Sequence, residues 1–359
     1  MAIDIRNYKC PACTGPLMFS GAMGRLECEY CGGTYDIYEF ENLDGNGAQT
    51  AAQTEAEESD EAETPDNWDD ENVRVYICSS CGAELICDVN TAATNCPYCG
   101  NSNIMSGQLS GTLKPDLVLP FQLKKENAVA ALNNYYKGKR FLPDAFAAKN
   151  HIEEIKGVYV PFWLFDGAAD VKMSYHATRS HSRVSGNYEI INTEHYIVRR
   201  EGVVNFSRIP VDASTKMPDD YMEAIEPFHY QEMKRFKTAY LAGYMADKYD
   251  VSAEESEPRA NRRAETTAEN VIAGTVSGYS TRIPTGKSID IHNNKAQYVL
   301  LPVWLLSTNW KGQRYLFAIN GQTGKLVGDL PIDKGKYLKT FAAIAAPLMA
   351  LMTAILYLF

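Results

Sequence analysis

The chain has 359 residues, 45% of them hydrophobic, and a formal net charge of −10. That length provides for two or three domains with buried cores, and the composition excludes wholesale disorder. The acidic balance weighs against nonspecific binding to phosphate backbones.

The N-terminal MAIDIRNYKC is charged and lacks an apolar stretch, so no secretory leader is expected and the thiols are expected to stay reduced. Residues 1–40 read as a first zinc ribbon. Cys10 and Cys13 (CPAC) are followed, after fourteen residues, by Cys28 and Cys31 (CEYCGG). Residues 41–72 hold twelve acids and no Lys or Arg, and few large apolar side chains. Such a stretch is expected to be a flexible acidic linker. Without it the chain has 33 acids against 35 bases, close to neutrality.

A second ribbon is expected over 73–106, with Cys78 and Cys81 (CSSC), again fourteen residues, then Cys96 and Cys99 (CPYCGN). Each C-x-x-C lets two sulfurs grip one ion from a tight turn, and two such knuckles complete a tetrahedral S₄ site. Four thiolates leave no open coordination position, so the two ions expected are structural Zn²⁺. Iron in a rubredoxin-like site is the chemical rival. Gly32, Gly33, Gly82 and Gly100 bring backbone close to the thiolates. Cys87, in ELICDV, reads as a small buried hydrophobe.

Residues 115–333 are expected to form a mixed α+β domain. VYVPFWLF (158–165) and YVLLPVWLL (298–306) share P-x-W-L at Pro161 and Pro302, and each reads as a buried strand. Each is expected to turn into a second strand, marked by Val171, Met173 and Tyr175 in one case and by Tyr315, Phe317 and Ile319 in the other. The expected core is thus two similar β-hairpins. Met233, Phe236, Tyr240, Leu241, Tyr244 and Met245 predict a helix, as do Val129, Leu132 and Tyr136. Asn320-Gly321 predicts a turn. GQTGK (321–325) has two residues between its glycines where a phosphate loop needs four, so it reads as hairpin. His176, His181 and His195 match no familiar metal spacing. Tyr135, Tyr136, Lys137, Lys139 and Arg140, with Lys124 and Lys125 nearby, read first as a solvated helix face and second as a contact for anionic lipid.

Residues 340–359 carry no charge over twenty positions, enough helix to span about 30 Å, so a C-terminal transmembrane helix is expected. Lys334, Lys336 and Lys339 precede it, which predicts that the N-terminal bulk faces the cytoplasm.

The strings LVLPFQLKKENAVAALNNYYKGKRFLPDAF, IKGVYVPFWLFD, FKTAYLAGYMADKYDV and LLPVWLLSTNWKGQRYLFAINGQTGKLVGDLP resemble bacterial TFIIB-type zinc-ribbon-containing proteins, over roughly 8–35 and 75–340. The resemblance implies a membrane-attached cytoplasmic protein without an established enzymatic activity. Some such relatives are associated with phage-shock-A-like and flotillin-like (SPFH) membrane-stress systems, where they recruit partners to the bilayer. The expected function is therefore a membrane-anchored adaptor that binds proteins, with no catalytic residues and no small-molecule substrate identified. A nucleic-acid-binding accessory of replication or transcription is the alternative. The ribbons do not favour it, since Arg6, Lys9 and Arg25 are balanced by Asp4, Glu27 and Glu29 in the first.

Overall fold

The computed structural model describes residues 9–21, 23–37, 73–88, 95–101, 104–107, 113–146 and 155–358. The acidic stretch expected as a linker, 41–72, lies outside them. β1 (Leu17–Ser20), β2 (Arg25–Cys28) and β3 (Thr34–Tyr35) form a three-stranded antiparallel sheet of their own, with Leu17 opposite Cys28 and Leu26 opposite Tyr35. β4 (Val73–Cys78) pairs on one side with β5 (Glu84–Asp88) and on the other with β6 (Ile104–Gly107). These three are the end of an eleven-stranded sheet, not a free-standing ribbon, because β5 also pairs with a strand 160 residues later.

There follow β7 (Leu117–Val118), α1 (Lys125–Tyr136), the long β8 (Lys156–Ser185) and β9 (Tyr188–Asp212), and the short α2 (Asp219–Ala224). After β10 (Lys234–Arg235) and β11 (Met245–Asp247) come α3 (Ala253–Gly274) and the long β12 (Thr281–Trp310). β13 (Gln313–Asn320), β14 (Leu326–Gly328) and α4 (Lys334–Leu358) complete the chain. In the large sheet the order is β10-β7-β12-β8-β11-β5-β4-β6, with β9 on β8, and β13 and then β14 on β12.

The chain divides into two compact units. The first comprises 1–160, 216–248 and 300–359, and includes both cysteine quartets. Its aromatic centre is Phe121, stacked on Tyr244 at 4.2 Å and edge-on to Tyr159 and Trp304. The second comprises 161–215 and 249–299. There α3 lays Ala260, Ala264, Ala268 and Ile272, four residues apart and buried, along one face of the β8–β9 ribbon. Ala268 and Ile272 pack with Ala169, Val171, Met173, Tyr175 and Val198 in one buried cluster. Ser252 starts α3 with a capping box, accepting from the Glu255 N–H while Glu255 accepts from the Ser252 N–H.

The first expected hairpin differs from the observed one. Residues 158–165 and 171–175 lie in one strand, and the partner of both is β9. Asp166 lies opposite a β-bulge in β9, where Ser207 and Arg208 face that one residue and the Arg208 N–H donates to the Asp166 carboxylate. Gly167 is required there, since a Cβ would come within 2.4 Å of the His292 carbonyl oxygen. The strand reverses instead at Gly186, which has φ of 65°. In the second pair β12 returns as β13 after Lys311-Gly312, with Trp304 opposite Ile319.

The P-x-W-L repeat has the same hydrogen bonds at both sites. The Pro161 carbonyl accepts from Ala213 N–H at 2.9 Å, and the Pro302 carbonyl from Gly321 N–H at 2.8 Å. The buried Trp163 indole donates to the Val251 carbonyl at 3.0 Å, and Trp304 to that of Leu123 at 3.1 Å. Buried Asp212 and Asn320 end the two partner strands at matching positions, opposite Phe162 and Val303.

The helix expected over 233–245 is absent. Lys234–Arg235 pair with β7, Thr238–Leu241 form one 3₁₀ turn, and Met245–Asp247 pair with β5 and β8. Gly243, at φ of 81°, interrupts the segment, and Phe236, Tyr240, Leu241, Tyr244 and Met245 are buried while Met233 is half-buried. The 129–136 helix is present as α1, whose Leu132 is buried.

Candidate metal centres

The four C-x-x-C knuckles share one backbone pattern. The N–H four residues after each leading cysteine bonds back to that cysteine's carbonyl: Thr14 to Cys10, Gly32 to Cys28, Gly82 to Cys78 and Gly100 to Cys96, at 2.8–2.9 Å. Each leading cysteine's own N–H in turn reaches the carbonyl five residues on: Gly15, Gly33, Ala83 and Asn101. The turn requires left-handed backbone at the fourth position, where φ is 59° at Thr14, 70° at Gly32, 69° at Gly82 and 73° at Gly100. The leading cysteines are buried and the trailing ones more exposed.

Cys10, Cys13, Cys28 and Cys31 bring four Sγ atoms within 4.8 Å of one another, and Cys78, Cys81, Cys96 and Cys99 do the same. Cys10–Cys31 and Cys13–Cys28 are 3.4 Å apart, and Cys78–Cys99 and Cys81–Cys96 are 3.6 Å apart. A disulfide would need about 2.05 Å. Four sulfurs about 2.3 Å from one tetrahedral ion would be roughly 3.8 Å apart, so the donor sets fit two closed S₄ metal sites.

Tyr35, on β3, places its hydroxyl 3.2 Å from the Cys10 sulfur. That hydrogen bond, helped by backbone N–H groups of Cys13 and Ala12, lowers the Cys10 thiol to about 6, against burial. Burial also opposes ionisation of Cys78, but the N–H groups of Cys81 and Ser80 outweigh it and hold that thiol at about 7. In each quartet one leading thiol is thus lowered by its hydrogen-bond donors, while Cys13, Cys31, Cys81 and Cys96 are raised. The sequence reading missed Tyr35. Its only signal is an aromatic residue four positions after Cys31, and its role depends on the β2–β3 pairing that turns it back over the quartet.

Over 341 residues the chain is 37% identical to the uncharacterized protein YdjG of Bacillus subtilis strain 168, a match covering 95% of this chain and 94% of that one. The chain belongs to the YdjG family. No model of a described protein family matches it, and no solved structure does. The match covers nearly the full length of both chains.

Other sequence candidates in this YdjG-family chain fall outside the metal centres. His176 and His195 stack on β8 and β9 with ring nitrogens 3.3 Å apart, while His181 pairs opposite Asn192 further along. Cys87 is buried in β5 opposite Met245. Residues 321–325 connect β13 to β14, and the buried Asn320 side chain accepts from the Gln322 and Thr323 N–H groups to shape that turn. In the basic-aromatic cluster, Tyr135 donates to the Gly328 carbonyl, Tyr136 packs on Phe146 and Phe317, and Lys139 lies over the Tyr135 ring. Lys124 pairs with Glu27 of the first ribbon at 3.3 Å. A cavity of about 650 Å³ opens beside that ribbon, where Lys124, Lys125 and Lys156 are balanced by Glu27, Glu29 and Glu126.

The C-terminal helix α4 is long and apolar enough to cross a membrane, and none of its most apolar window is buried. Phe341, Ile344, Leu348, Leu351, Met352 and Ile355 are all exposed along it. Its start is fixed to the first unit. Asp333 caps it, accepting from Gly335 and Lys336 N–H, and Lys336 reaches the Leu142 carbonyl and Asp144.

Proposed function

We propose that this protein is a membrane-anchored zinc-ribbon adaptor, held in the cell membrane by α4 as a single span with its N-terminal bulk in the cytoplasm. The observation that carries the reading is the exposure of α4. A helix of this length with large apolar side chains on every side is costly in water and stable in hydrocarbon. Lys334, Lys336 and Lys339 at its start belong on the cytoplasmic side by the positive-inside rule. The two quartets hold zinc, which stabilises the ribbons and has no open position for a substrate. In this reading the ribbons present a protein-binding surface and no residue is catalytic. The earlier resemblance to TFIIB-type zinc-ribbon proteins suggests partners of the phage-shock-A-like or SPFH kind.

Fractionation tests the anchor. The full chain is expected in the membrane pellet after washing with high salt and alkaline carbonate, and a chain ending at residue 333 in the supernatant. Recovery of the truncated chain with salt-washed membranes would mean that a different surface holds it there. Affinity purification from detergent extracts then tests the adaptor role. Enrichment of membrane-stress proteins supports it, and purification of the chain alone, at native expression level, counts against it.

A further inference from the structure

β9 is an edge strand. It pairs with β8 along one side, and among the described residues no strand covers the other. β9 bulges at Ser207-Arg208 and carries Pro210, whose carbonyl accepts from Arg263, so the regular edge that could take a further strand is residues 188–206. Natural proteins commonly protect long edges with inward charges, prolines or bulges. Away from its bulged, proline-bearing end β9 carries exposed Ile190 on the α3 face and three further exposed β-branched aliphatics: Ile191, Ile197 and Val203, at 63%, 79% and 62% exposure. Their spacing is even, so all three lie on the face of the ribbon opposite α3.

We propose that β9 pairs antiparallel with β9 of a second copy of this chain, about a two-fold axis through Ile197. Such an axis, perpendicular to the sheet, keeps like face on like face, so only registers centred on a residue are allowed. Centred on Ile197, the register sets Ile197 against itself and Ile191 against Val203 of the second copy. On the α3 face it sets Glu194 against Arg200 of the second copy, twice by symmetry. Apolar residues meet apolar, acid meets base, and no two like-charged carboxylates or guanidinium groups stand opposite each other. Moving the axis one residue either way sets Ile197 against His195 or Arg199 and separates Glu194 from Arg200. The charge and apolar patterns thus select the same centre, although neither was used to find the other. The product is a continuous sheet through two chains, which closes both edges at once.

The test uses the full chain in detergent micelles. Its protein mass by light scattering is expected at twice 40.0 kDa. Glu194→Arg is expected to convert it to monomer, and Glu194→Arg with Arg200→Glu to restore the dimer. A photo-crosslinking amino acid at position 197 is expected to capture the β9 peptide of the second copy, and the same group at Val184 is not. A monomeric wild-type protein overturns the proposal. So does a dimer that survives both Glu194→Arg and Ile197→Lys, since that dimer would be formed by another surface, α4 included.

Discussion

Thr14 occupies a position that the other three knuckles give to glycine. A β-branched residue in the left-handed region costs about 1–2 kcal/mol, partly offset here by its hydroxyl donating to the Cys13 carbonyl. Thr14→Gly is therefore expected to strengthen metal retention by the first ribbon, and Gly82→Val to weaken it in the second, each by roughly tenfold. Competition with a chromogenic chelator, ribbon by ribbon, reads both. Tyr35→Phe removes the hydroxyl beside Cys10 and is expected to lower the first ribbon's affinity by roughly 10–100-fold, the usual range for a lost partner of a metal ligand. The second ribbon should not change, and equal loss at both sites would refute the assignment. The grouping of the eight cysteines into two quartets was legible in sequence because cysteine spacing within a single turn is local information. Tyr35 was not, because what brings it to Cys10 is a strand pairing.

Among the elements, the two P-x-W-L strands carry the clearest sequence signal, and the reason is chemical. A buried indole needs an acceptor, and both tryptophans find one in a loop carbonyl. Trp163→Phe and Trp304→Phe each leave that carbonyl unpaired and are expected to cost about 1–3 kcal/mol in chemical denaturation, the desolvation of one acceptor. Loss of less than a few tenths at either site would mean that water replaces the indole. The turn expected between 158–165 and 171–175 is absent because both runs belong to one continuous strand, in which Gly167 serves close approach to the His292 carbonyl. The 233–245 segment was misread because burial can place apolar residues at helical spacing without a helix. In α3, Ala264→Leu is expected to destabilise by about 1–3 kcal/mol, since a larger side chain must push the helix off β9. For α4, Leu351→Lys is expected to weaken membrane insertion by about 2.5–3.5 kcal/mol if that position lies near mid-bilayer, readable as partial release in carbonate extraction.

At the scale of the whole molecule, similar metal sites are built into different surroundings. Two zinc ions per chain are expected from metal analysis of the purified protein, and a ratio near one, or iron as the main metal, would contradict the donor assignment. Removing one ion should have unequal consequences. The first ribbon has a sheet of its own, tied to the rest of its unit by contacts such as Phe19 N–H to the Ala242 carbonyl and Lys124 to Glu27. The strands of the second continue the large sheet: β5 pairs Leu85, Ile86 and Cys87 with Asp247, Ala246 and Met245, and Lys248 pairs with Glu84. Small zinc ribbons draw most of their folding energy from the metal, so losing it should unfold whatever depends on the quartet alone. Cys28→Ser is therefore expected to raise amide exchange within 17–35 and little further. Cys96→Ser should carry faster exchange through β4, β5 and β6 into β11, because an opened β5 exposes the N–H groups that β11 shares with it. Hydrogen exchange with peptide resolution on the detergent-solubilised full chain decides between these patterns. Exchange confined to 73–107 in Cys96→Ser would show that β11 is held by β8 alone, and that the second ribbon is as separable as its sequence makes it look.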